Sequence, residues 1–151
     1  MDDQVRAYLK QNHSAAMISL RRDGTPHAVR VGIALVVGKI WSSGTQTRLR
    51  TRHLRRDPRS TLFVFEGQWR WLALECRVTI LDGPEAPQQN LRLFQVMQQG
   101  MPVEPGHVIW YGQPLTHDQF LDRMVQEQRL IYEFEIQRAY GMYGETPARA
   151  G

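Results

Sequence analysis

Cysteine and lysine are nearly missing from this chain: among its 151 residues stand one cysteine, Cys76, and two lysines, Lys10 and Lys39. A lone cysteine cannot close an internal disulfide or assemble a thiolate metal set, which excludes a cross-linked extracellular framework and a zinc centre of that kind. Cys76 falls in an apolar segment and reads as a buried, inert thiol. Long hydrophobic runs are missing as well. No stretch approaches the roughly 18 apolar residues of a membrane span, and Met1-Asp2-Asp3-Gln4 has neither the basic start nor the apolar core of a secretory leader, so a cytoplasmic setting with no membrane partner is expected. Nor is there a catalytic triad, a paired-carboxylate site or a histidine-rich metal set. That absence agrees with chemistry carried by a bound cofactor.

What is present is ordinary globular composition, 42% hydrophobic and 23% charged, which suits one domain over residues 1–151. The net charge of +4 is modest but uneven. Arg48, Arg50, Arg52, Arg55, Arg56 and Arg59 are opposed locally by Asp57 alone. Arg55, Arg56 and Arg59 read as a solvated helix face, whereas Arg48 and Arg50 stand close to a cluster of hydroxyls. A nucleic-acid surface would also be basic, yet no recognition motif or stripe of stacking aromatics accompanies these arginines, so nucleic acid is not an expected partner.

That hydroxyl cluster is the most informative stretch. Ser42-Ser43-Gly44-Thr45-Gln46-Thr47-Arg48-Leu49-Arg50-Thr51-Arg52 follows the strand-like Lys39-Ile40-Trp41 and leads into a helix near 48–56. Arginine forks and hydroxyls match phosphate oxygens, glycine lets backbone N–H groups approach, and the helix start adds its dipole. Ser42, Ser43, Thr45, Thr47, Arg48, Leu49 and Arg50 are therefore candidate cofactor-binding residues for a phosphorylated, nucleotide-like ligand.

Around this loop the pattern predicts a helix over 2–12, a strand over 15–20, an Asp23-Gly24 hairpin turn and a returning strand over 26–36. Strands are expected at 40–42, 61–65, 69–81 and 129–137, and helices over 88–99 and from Thr116 to about Gln128. The segment 102–114 reads as an irregular loop holding Trp110 and Tyr111. Alternation of Leu130, Tyr132, Phe134 and Ile136 against Ile131, Glu133 and Glu135 predicts a last strand with one better-buried face. Five or six antiparallel strands with a few helices indicate an α+β protein built on a β-barrel. On the returning strand His27, Val29 and Val31 alternate onto one side, where the valines could pack as core or lie against a ring. Trp69 and Trp71 could serve as core or cap such a ring.

Three segments, Leu20-Arg21-Arg22-Asp23-Gly24-Thr25-Pro26-His27, residues Arg50-Thr51-Arg52-His53-Leu54-Arg55-Arg56-Asp57-Pro58-Arg59 and Trp71-Leu72-Ala73-Leu74-Glu75-Cys76-Arg77, resemble the flavin and deazaflavin oxidoreductases of the pyridoxamine-phosphate-oxidase-like superfamily. The likeness runs through nearly the whole chain and is nearest to the small actinobacterial branch that uses coenzyme F420, which includes biliverdin-reductase-like members. It implies an antiparallel FMN-binding split β-barrel with flanking helices, and a homodimer whose two cofactor sites lie at the subunit interface. It places the cofactor phosphate at Ser43, Arg48 and Arg50, and the ring near His27, Val29, Val31 and, from the partner, Trp71. The family commonly has lysine at the position of Arg50, asparagine at His53 and glycine at Cys76; arginine keeps the charge and adds a fork.

The resemblance makes F420 the expected cofactor and FMN the alternative, with hydride transfer to a small conjugated molecule as the reaction. The acidic tail of F420 would meet favourable electrostatics at Arg52, Arg55 and Arg56. A non-catalytic flavin- or haem-binding module is the other class of function such a barrel allows. The closing Arg138-Ala139-Tyr140-Gly141-Met142-Tyr143-Gly144 resembles the family's final segment and is expected to border the pocket, with a frayed tail beyond.

Overall fold

The computed structural model of the chain describes residues 1–144. The chain runs α1 (Asp3–Gln11), β1 (Ser14–Leu20), β2 (Pro26–Gly32), β3 (Ala34–Val36), β4 (Lys39–Thr45), α2 (Leu49–Arg56), β5 (Arg59–Glu66), β6 (Arg70–Leu81), α3 (Ala86–Met97), β7 (His107–Trp110), β8 (Gln113–Thr116), α4 (His117–Gln126) and β9 (Arg129–Met142). Helix α1 starts where Asp2 accepts from the Val5 N–H at 2.8 Å, and buries Val5, Tyr8 and Leu9 on one face.

Seven strands form one antiparallel sheet in the order β2-β1-β5-β6-β9-β4-β3. Its two edges, β2 and β3, are consecutive in the chain and separated by Ile33 alone, so the sheet has to curl until they meet. The Ser42 hydroxyl on β4 stitches the closure by donating to the Gly32 carbonyl at 2.7 Å. The interior is filled by alternate residues of the strands, including Met17, Leu62, Leu72, Leu74, Tyr132 and Phe134, with Tyr8 and Leu9 of α1 packed against them. This is an α+β split-barrel architecture.

Four details differ from the sequence expectations. The returning strand over 26–36 is broken at Ile33, whose N–H bonds the His13 carbonyl at 3.0 Å instead of a ladder partner, giving β2 and β3. The segment 102–114 is not irregular throughout: β7 and β8 pair as a separate hairpin, with Ile109 opposite Pro114. Counting both sheets there are nine strands among the described residues, and β9 is longer than expected because it continues along β6 past a bulge at Glu75/Cys76. Ile131 is fully buried on the face predicted to be poorer, because α3 covers it through Leu93, beside Ala34 and Val36.

Between β6 and β9 the chain builds a side unit with its own core of Leu91, Val108, Trp110, Leu115, Phe120 and Met124. A capping box at Thr116 and Gln119 starts α4. Cys76 is buried and unpaired, and burial pushes its thiol up to about 12. No helix among the described residues is long and apolar enough to cross a membrane. The expected frayed tail, 145–151, lies outside the described residues.

Candidate functional site

Strand β4 and helix α2 meet at a turn through Gln46 and Thr47. Arg48 is the N-cap of α2, yet no side chain caps the helix and no acidic residue stands in its first turn. The Thr51 N–H bonds the Arg48 carbonyl at 3.1 Å, which leaves the N–H groups of Leu49 and Arg50 to meet an anion. Beside them a groove of about 390 Å³ is lined by Arg30, Val31, Gly32, Ser43, Arg48, Arg50, Phe94, Met97, Trp110, Tyr111 and Arg129. Four guanidinium groups and no carboxylate face this space.

Arg50 is held against the barrel wall. Its guanidinium lies over the Tyr132 ring, 5.7 Å from the centroid, and donates to the Ser43 carbonyl at 3.4 Å. Its Nε is buried with no hydrogen-bond partner. Burial holds its pKa below the ordinary arginine value, Tyr132 opposes that, and Arg48 and Arg129 alongside push it further down. A cation in these surroundings gains from an arriving anion. Tyr132 is itself buried and bonds the Thr51 hydroxyl, which also donates to the Thr45 carbonyl at 2.6 Å. This pair pins α2 to the barrel wall and holds the arginines at their height.

Of the residues expected from sequence, the groove brings together Val31, Ser43, Arg48 and Arg50. Ser43 differs in role from the expectation, since its hydroxyl proton is engaged by Asn90 of α3. Ser42 points into the barrel, 1% exposed, where it closes the edges; a side chain so placed does not reach a ligand in the groove. Thr45 is buried, with Thr47 3.5 Å from its hydroxyl. Thr47 and Leu49 are exposed at the start of α2 without lining the groove. Val29 packs against the barrel core. His27 turns to the other end of α2, where its ring meets His53 edge-on at 5.2 Å. Trp71 lies on the outward face of β6 among Phe63 and Tyr140, away from its own chain's groove.

The arginines offered for an acidic tail are partly committed. Arg55 pairs with Asp82 at 3.0 Å and with Gln46, and Arg56 donates to the Leu20 carbonyl. The Arg52 N–H bonds the Arg48 carbonyl at 3.3 Å, but its side chain has no hydrogen-bond or ion-pair partner among the described residues. The closing segment 140–144 borders a different depression of about 890 Å³, between α1 and the ends of β6 and β9, where Asp3 and Arg70 mix their charges. It is the larger of the two, but the charge of one sign is in the groove.

Residues 1–140 match the pyridoxamine 5'-phosphate oxidase family. The chain belongs to that family. Among solved structures, a conserved hypothetical protein from Mycobacterium tuberculosis superposes with a TM-score of 0.73 at 20% identity, over 100% of this chain and 92% of that one. A protein described as an F420 reductase superposes at 0.63 with 18% identity, over 89% and 94% of the two chains. A haem storage protein from Vibrio cholerae reaches 0.65 at 8% identity, over 95% and 96%. At such identities the likeness is one of fold.

Members of the pyridoxamine 5'-phosphate oxidase family share a barrel whose site has to be read residue by residue. Sequence reasoning missed Arg30, Gly32, Phe94, Met97, Trp110, Tyr111 and Arg129 as groove residues. Trp110 and Tyr111 were visible as aromatics in a presumed loop. Arg129 carried no signal: it reaches the groove through the pairing of Thr45 with Arg129 across β4 and β9.

Proposed function

We propose that this chain is an oxidoreductase that binds a phosphorylated flavin-type ring, coenzyme F420 in preference to FMN, and reduces a small conjugated molecule such as a tetrapyrrole. The observation that carries this reading is a groove whose charged lining residues are all arginines, at a helix start no side chain caps, with Arg50 Nε buried and unpartnered. Arg48 and Arg50 would hold the phosphate, and Val31, Phe94 and Met97 supply apolar surface for a ring. Such a cofactor, when reduced, supplies the hydride; the chain's own residues bind, orient and exclude water, which needs no nucleophile-base pair. Family membership supports a redox role, and the F420 reductase of the same fold supports the deazaflavin. Arg52 is the residue left to meet an acidic tail.

The reading includes a homodimer. Phe65, Phe63, Trp71 and Tyr140 form a chain of ring contacts on the outward face of β5, β6 and β9, the last of them edge-on. Phe65 and Tyr140 there are 62% and 45% exposed, an apolar surface suited to a second copy. A wild type that sediments at twice the chain mass, and a Phe65→Glu variant that sediments as a monomer, support this; a monomeric wild type overturns it.

The decisive experiment for the cofactor is titration with F420 and with FMN, followed by fluorescence quenching. Each charged hydrogen bond contributes about 1.5–3 kcal/mol, so reversing both Arg48 and Arg50 to glutamate is expected to weaken binding at least about 100-fold. Retained affinity in the reversed variant, or no binding of either coenzyme to the wild type, refutes the proposal. Tight binding without turnover of any conjugated acceptor makes the protein a carrier.

A further inference from the structure

The hairpin of β7 and β8 closes on Tyr111 and Gly112, both with positive φ, 47° and 79°. A two-residue turn of this hand selects glycine, asparagine and aspartate, because a bulky side chain crowds its own backbone in the left-handed region. Gly112 fits that demand. Tyr111 does not, and its side chain is 79% exposed, so burial does not compensate. Strained residues of this kind are kept where the surroundings fix them and a ligand uses them.

The surroundings do fix it. The Tyr111 ring stands edge-on against Trp110 with centroids 4.9 Å apart. Trp110 is 4% exposed, packed on Phe94 and Phe120, and covered by the Arg129 guanidinium 4.8 Å from its centroid. Arg129 is tied in turn to Glu127 at 2.7 Å. An exposed aromatic on a rigid base thus lines the same groove as Arg48 and Arg50.

We propose that Tyr111 is the residue that selects a ligand's ring: its face lies against the planar conjugated system of the molecule whose phosphate Arg48 and Arg50 hold. This rests on the cofactor reading above and adds which side chain discriminates ring-bearing from ring-free phosphates. Arginines alone would accept any phosphorylated polyol. A tyrosine at the mouth gives the ring a stacking partner that such a polyol cannot use.

The test compares wild type, Tyr111→Phe and Tyr111→Asn with F420 and FMN as ring-bearing probes and ribitol 5-phosphate as the ring-free one. Tyr111→Asn is expected to weaken the ring-bearing probe that the wild type binds by about tenfold and to leave ribitol 5-phosphate within about twofold. Tyr111→Phe keeps the ring and is expected to stay within about twofold throughout. The Tm of Tyr111→Asn is expected to rise, since asparagine accepts the positive φ. Unchanged affinity of Tyr111→Asn for the ring-bearing probe overturns the inference, and so does an equal loss for ribitol 5-phosphate or a lowered Tm. If charge reversal at Arg48 and Arg50 abolishes binding while Tyr111→Asn does not alter it, this inference alone fails. A wild type that binds neither F420 nor FMN refutes both readings.

Discussion

Replacing Gly44 with alanine tests whether one small residue in the barrel wall sets the height of the groove arginines. A methyl group there would overlap the Cζ, hydroxyl and Cε2 atoms of Tyr132, with Cε2 only 2.5 Å away. Tyr132 is fully buried and cannot swing into solvent. Overpacking a filled core costs about 1–3 kcal/mol. Displacing the ring also strains the buried hydrogen bond to Thr51, worth about 1 kcal/mol. Removing glycine from a strand returns about 0.5–1 kcal/mol, which leaves a net loss of about 1–3.5 kcal/mol. At about 2–4 °C per kcal/mol for a chain of this size, Tm falls by about 2–14 °C. Because Arg50 rests on the same ring, the proposed cofactor reading expects affinity to fall with it, by about tenfold if one charged hydrogen bond is lost. Differential scanning fluorimetry and F420 or FMN titration read both effects. In a Tyr132→Leu background, with no ring to displace, the cost of Gly44→Ala shrinks. A variant within about 1 °C of wild type, or a cost that is the same in both backgrounds, refutes the reasoning.

Acid is expected to destabilise the fold through His53. The imidazole is buried, its Nδ1 lies 2.8 Å from the Ser19 hydroxyl, and burial together with His27, Arg56 and Arg21 holds its pKa below 6.5. The unfolded chain therefore takes up the proton first, so stability is complete above about pH 6.5 and declines as pH falls below it. His53→Asn is expected to flatten that part of the pH profile in urea melts, and an undiminished slope would show that another group is responsible. Thr116→Ala removes the hydroxyl half of a capping box and is expected to lower stability by about 1 kcal/mol, a fall of about 2–4 °C in Tm; no shift means the helix start is held otherwise. The Cys76 thiol, with its pKa near 12, is expected to resist a thiol reagent at neutral pH until the protein is unfolded. Reaction at the rate of a free thiol in the native state would contradict its burial.

Local chemistry made much of the fold legible. Asp2 and the spacing of Val5, Tyr8 and Leu9 announce α1, and Asp23-Gly24 announces the first hairpin, whose turn is held by Arg21 and Thr25. Period-two alternation separates Ser42 from Ser43, but which of the two faces inward depends on how the sheet curls, and that is decided by strands far away in the sequence. Ser43 and Asn90, or Arg50 and Tyr132, meet only through tertiary pairing, so the groove's second wall had no local signature. The hairpin of β7 and β8 was hidden because Pro102, Pro105 and Pro114 read as breakers. Pro114 is tolerated there because its strand lies in an isolated two-stranded sheet. Tyr111 also stands where such a turn usually has asparagine, aspartate or glycine.

Leu81 and Ile131 sit side by side in the register of β6 and β9, so the whole excursion between them departs from and returns to one spot on the barrel. Arg48 and Arg50, the proposed phosphate grip, belong to the barrel where β4 hands over to α2, while Trp110 and Tyr111 of the aromatic lip belong to the excursion. On the proposed reading such a plan resembles an interchangeable nozzle: changes in the lip would alter what is admitted while the handle stays the same.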